Sequence, residues 1–80
     1  MVVKDVIDQI CKAGGFIRGS KEADIIHSAV TNVYGSEYKP VSPGSAMRYS
    51  SQVERELYAK DSQVASRAVN HVRTVINNLK

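Results

Sequence analysis

The chain has 80 residues, 42% of them hydrophobic and 24% charged, with a formal net charge of +3. A chain this short buries only roughly 60% of its unfolded surface, so its core is thin and one domain over residues 1–80 is expected. Cys11 is the lone cysteine, which excludes an internal disulfide and a cysteine-rich metal site, and no apolar run approaches a membrane span.

Apolar periodicity reads as helix nearly throughout. Val3, Val6, Ile7, Ile10 and Cys11 recur at three-and-four spacing, and Gly14-Gly15 ends that helix. Ser20 is a candidate N-cap for a second helix. Its inner face is Ile25, Ile26, Ala29, Val30 and Val33, and Gly35 stops it. The stretch between the first two helices, "GFIRG", is the one piece with extended character. "SEYKPVSPGS" is a loop, with Pro40, Pro43 and Gly44 as breakers.

Ser42-Pro43 forms a cap and first-turn pair for a third helix over 43–58, whose inner face is Ala46, Ser50, Val53 and Leu57. A turn of about three residues around "YAKDS" then leads to a fourth helix over 62–78, capped by Asp61 or Ser62. Its apolar stripe is the broadest in the chain: Val64, Ala65, Ala68, Val69, Val72, Val75, Ile76 and Leu79. The expected fold class is all-α, a small four-helix domain containing a helix-turn-helix over about 43–78.

Charge is unevenly distributed. Residues 1–38 carry a net −1, residues 39–61 a net +1, and residues 62–80 a net +3 with no acidic side chain. Such a gradient suits a last helix that meets an anion, although a solvated outer face gives the same pattern. The short third-to-fourth connection fits a helix-turn-helix, whose second helix lies in the major groove of DNA. The outward side chains match that chemistry. Arg67 can donate a fork to guanine, and Asn70 or Gln63 can pair bidentately with adenine. Ser62, Ser66 and the free N–H groups at the helix start suit a phosphate. Lys60 in the turn, Arg73 and Thr74 complete the candidate DNA-binding set, and Arg48 and Arg55 on the third helix are candidate phosphate contacts.

The rest of the chain carries bland readings. His71 sits at the edge of the apolar stripe, His27 has no second ligand at metal spacing, and Cys11 reads as a small core residue. Tyr34, Tyr38, Tyr49 and Tyr58 read as packing residues. No nucleophile–base pair, carboxylate pair or ligand cluster stands at catalytic spacing, so neither an enzyme nor a cofactor or metal is expected. "GGFIRGS" lacks the Gly-Lys-Ser/Thr core of a phosphate loop. A cytoplasmic protein with no membrane contact is the expectation.

One resemblance runs along the chain. "VIDQI", "FIRG", "SAVTNVY", "YSSQVEREL" and "SRAVNHV" together resemble the C-terminal effector domain of the master sporulation response regulator of spore-forming bacteria. Ile17-Arg18-Gly19 stands where that family has an isoleucine-lysine-glycine step, and Ala29-Val30-Thr31-Asn32-Val33-Tyr34 where it has Ala-Ile-x-x-Val-Tyr. Tyr49 and Val53 to Leu57 echo the first helix of its helix-turn-helix. Arg67-Ala68-Val69-Asn70-His71 stands where its recognition helix has Arg-Ala-Ile-Arg-His, in the register that keeps every apolar position apolar.

The resemblance implies a sequence-specific, DNA-binding transcription regulator with the fourth helix as reader and the third across the backbone. Gln63, Val64, Ser66 and Asn70 stand where the family carries Ser, Arg, Glu and Arg, which leaves the operator open. The resemblance covers roughly residues 3–78 and does not extend to the two further helices by which family members contact each other on tandem sites. A homodimer or a partner regulator is the protein contact to be expected. The rival reading is a protein-interaction module that modulates another regulator without reading DNA. If about four phosphates are neutralised, log K falls by about 3.6 per decade of salt.

Overall fold

The computed structural model describes residues 2–41 and 46–78. Among them the chain forms four helices: α1 (Val3–Gly14), α2 (Lys21–Tyr34), α3 (Ala46–Lys60) and α4 (Ser62–Asn77). The protein is all-α. Val2 and Pro40 form an isolated bridge, and the 16–19 stretch is loop and turn, not strand. No helix of the described residues is long and apolar enough to cross a membrane.

The caps explain the boundaries. Asp5 Oδ2 accepts from Val2 N–H at 3.0 Å, and the carbonyls of Lys39 and Glu37 accept from Val3 N–H and Lys4 N–H, both at 2.9 Å. The start of α1 is therefore satisfied by the segment after α2, which ties the chain's beginning to the α2–α3 connection. At its other end Gly15 takes a left-handed conformation, φ 71°. Gly15 N–H then donates to Lys12 O and Phe16 N–H to Cys11 O, closing a Schellman motif. Ser20 Oγ accepts from Ala23 N–H at 3.2 Å as the cap of α2, and Gly35 (φ 98°) ends that helix by donating to Thr31 O.

The apolar stripes meet in one core. Val3, Val6 and Ile10 of α1, Ile26 and Val30 of α2, Val53 and Leu57 of α3, and Ala68, Val72 and Ile76 of α4 are fully buried. The α3–α4 contact is the most extensive, followed by α2–α3 and α1–α4. Cys11, Ile25, Val33 and Val75 pack at the edge of the core, half-buried. Periodicity missed Ala23, which is buried on α2 beside Tyr34, expected as a packing residue. Ser50 is buried on the inner face of α3 as expected.

Two further expectations need correction. The third helix does not end at Tyr58 but runs to Lys60, so Asp61 alone separates α3 from α4. Nothing at Tyr58, Ala59 or Lys60 breaks a helix, whereas Asp61 is a strong cap. Asp61 N–H still donates to Leu57 O at 2.9 Å, and its own carbonyl accepts from Ala65 N–H. The four tyrosines also divide. Tyr34 stacks on Tyr49 with ring centroids 4.4 Å apart, but Tyr38 and Tyr58 are 74% and 51% exposed. The Ser42-Pro43 cap, the Ala46 side chain and Leu79 lie outside what the structure describes.

Candidate nucleic-acid interface

Every candidate reader is on the surface. Lys60, Ser62, Gln63, Ser66, Arg67, Asn70, Arg73 and Thr74 are all exposed, as are Arg48 and Arg55. The helical period orders those on α4. With Ala68 and Val72 facing the core, Gln63, Ser66, Asn70, Thr74 and Asn77 form the stripe diametrically outward. Arg67 flanks it on the α1 side and Arg73 on the α3 side. The centre of the face is thus uncharged amide and hydroxyl, with one guanidinium along each margin.

Both margins are anchored. The Arg67 guanidinium carbon sits 5.3 Å from the centroid of the Phe16 ring, within cation–π range. Phe16 is itself buried, placed by the Schellman turn that ends α1, so the loop after α1 fixes a side chain of α4. Arg73 forms a fork with Glu54 of α3. Its Nε donates to Oε1 and its Nη2 to Oε2, the latter at 3.3 Å. The carboxylate holds the Arg73 proton even more firmly than usual. Thr74 Oγ1 donates to Asn70 O at 2.9 Å, which leaves that hydroxyl as an acceptor towards solvent.

Asp61 caps α4 as expected, and that cap takes up N–H groups that were expected to be free. Asp61 Oδ1 accepts from Gln63 N–H at 3.0 Å and from Val64 N–H at 3.2 Å. Those donors are not free for a phosphate, and the capping carboxylate would repel one. Lys60 lies in the last turn of α3, not in a loop. Arg48 and Arg55 sit on the outer side of α3, and Arg55 lines a shallow groove with Gln52, Glu56, Asn32 and Val33 of the α2–α3 seam. Arg55 is therefore displaced towards α2, away from the margin that α3 shares with α4 through Glu54.

Charge segregated in sequence is less segregated in space. The +3 of residues 62–80 is met by Glu54 beside Arg73 and by Asp61 at the helix start. Asp61 was expected as a cap, but the part played by Glu54 was not readable. Glu54 is 19 residues from Arg73, and the relative rotation of two helices decides whether they meet.

A second concavity lies between α1 and α2. This groove of about 500 Å³ has Ile7, Cys11 and Phe16 in its floor. Its rim charges close on each other: Arg18 donates to Asp8 at 3.1 Å, and His27 Nε2 to Glu37 at 2.8 Å. Burial, with Asp8 adding to it, pushes the Cys11 thiol above its ordinary value, so Cys11 is held protonated. Among the described residues no group of three potential ligands gathers to hold a metal ion.

Compared with protein-family models, with curated proteins and with solved structures, the chain matches none.

Proposed function

We propose that this chain is a DNA-binding module of the helix-turn-helix kind, a transcription regulator whose helix α4 enters the major groove. The observation that carries the reading is the outward stripe of α4. Gln63, Ser66, Asn70 and Thr74 are exposed amides and hydroxyls, with Arg67 and Arg73 at the margins. Amide side chains pair bidentately with the adenine edge, and hydroxyls serve either base. Marginal guanidinium groups reach the phosphates that border a groove. The resemblance to the sporulation effector domain supports the same helix as reader.

The electrostatic contribution in this reading is smaller than the sequence count suggests. With Arg73 compensated by Glu54, Lys60 and Arg67 are the uncompensated cations nearest the stripe among the described residues. Two neutralised phosphates give a slope of about 1.8 in log K per decade of salt, in place of about 3.6.

A second reading has its own support. The one-residue link is shorter than the usual helix-turn-helix turn, and the Asp61 cap occupies N–H groups that a phosphate would use, whereas a module that binds another regulator depends on neither feature. Fluorescence anisotropy separates the two. A labelled duplex carrying the sporulation-type operator is compared with a scrambled duplex at two salt concentrations. Tighter operator binding with a measurable salt slope is the expected result. Equal, feeble binding to both duplexes would leave the partner-binding reading standing in its place.

A further inference from the structure

The Glu54–Arg73 pair joins the proposed reading face to the helix behind it, and its two members are unequally exposed. Glu54 is 18% exposed and Arg73 58%. The carboxylate lies in the α3–α4 seam while the guanidinium extends outward from it. The fork uses the Nε and Nη2 edge of Arg73. That is the edge which most favours a bidentate oxyanion, whether carboxylate or phosphate.

A phosphate arriving at this margin of α4 competes with Glu54 for the same edge. Displacing Glu54 leaves a mostly covered carboxylate without its partner, which is more costly than leaving an exposed one. Tyr58, one turn further along α3 and close to Arg73, supplies no positive charge to compensate. Among the described residues no carboxylate pairs with Arg67 on the opposite margin: its seat is the face of Phe16, which leaves the guanidinium edge open. The two arginines are alike in sequence and unlike in availability.

We infer that Glu54 is an intramolecular competitor for the backbone phosphate that Arg73 would otherwise take, so that it sets the affinity and salt dependence of the α4 face. The inference rests on the DNA-binding reading and adds to it a residue outside the reading helix. It makes Arg67 the working arginine of the face and Arg73 a reserved one. The face is thereby biased towards contacts made by Gln63, Ser66 and Asn70, because part of its sequence-independent attraction is neutralised within the protein.

The experiment is a salt titration of duplex binding by anisotropy, with wild type, Glu54→Gln and the double variant Glu54→Gln/Arg73→Gln. Glutamine keeps the size of Glu54 and removes its charge. Thermal unfolding of each variant confirms that it folds. Glu54→Gln is expected to bind roughly fivefold tighter at low salt, the size of a released surface pair. Its slope in log K should steepen by about 0.9, one additional phosphate. The double variant should return to the wild-type slope, because the gain acts through Arg73.

An unchanged slope in Glu54→Gln, with wild type binding the duplex, overturns the inference and leaves the DNA-binding reading intact. A gain that persists in the double variant also overturns it, since the removed charge then acts elsewhere. No binding of any duplex by wild type or variants overturns both.

Discussion

The α1–α2 side of the molecule and the α3–α4 side use their polar side chains for different ends. On the first side polar groups hold loops. Asp8 takes Arg18 from the α1–α2 connection, and His27 takes Glu37 from the segment after α2. The carbonyls of Glu37 and Lys39 in turn satisfy the start of α1. On the second side one residue connects the helices, so there is no loop to hold. Gln63, Ser66 and Asn70 consequently face solvent without structural duties, which is why the candidate interface is there.

The two sides nevertheless share one core, and the largest predicted effects test that sharing. Ile10→Ala on α1 and Leu57→Ala on α3 each remove a fully buried side chain, and each should destabilise by about 2–5 kcal/mol. A domain of this size has a total of about 4–12 kcal/mol, so either change brings it close to unfolding. Denaturant unfolding followed by helix content and by tyrosine fluorescence should remain one coincident transition. Separate transitions would mean that the two sides are independent units.

Gly14→Ala should follow at about 1–3 kcal/mol. A Cβ at Gly14 would stand 2.3 Å from the Phe16 ring, which cannot retreat without leaving the core and unseating Arg67. Calorimetry of this variant measures how closely the first side holds a residue of the second. Asn70→Ala should cost roughly 1–3 kcal/mol of duplex affinity and relax specificity at one base, with stability within about 0.5 kcal/mol of wild type. Affinity unchanged in Asn70→Ala would remove the outward stripe from the reading. Asp61→Ala should cost about 1 kcal/mol of stability by freeing the N–H groups of Gln63 and Val64.

Much of the fold was legible because its signals are local. Ser20 and Gly35 bracket α2 through bonds spanning three or four residues, and the stripe from Val64 to Ile76 is periodicity alone. The α3–α4 turn was misjudged because an aspartate can both donate the last backbone bond of one helix and cap the next with its side chain. Sequence named the exposed side chains of α4 correctly but not their neighbours. Whether Arg73 meets Glu54, or Arg67 meets Phe16 across 51 positions, depends on how the helices rotate against each other. Local pattern carries no information about that rotation. For the same reason the +3 excess of the last segment overstated the charge of the face.

The smallest effect tests the loop-holding side. The hydrogen bond from His27 holds the Glu37 carboxyl below its ordinary value of 4.5, helped by Tyr38 and by the positive charge of Lys4. A depressed carboxyl stabilises the fold above its unfolded-state value, and that contribution disappears as pH falls through the folded-state value. Glu37→Gln should therefore be slightly less stable than wild type at neutral pH, and the two should converge on acidification below about 4.5. The Tyr38 hydroxyl, pushed up by its hydrogen bond to Glu37, should titrate lower in the same variant. Thermal melts across acidic pH and an ultraviolet titration of the tyrosines measure both. A constant gap between wild type and Glu37→Gln across the acid range would mean that the carboxyl holds its loop by shape rather than by charge. The contrast with the solvent-facing stripe of α4 would then rest on the backbone bonds from Lys39 and Glu37 to the start of α1.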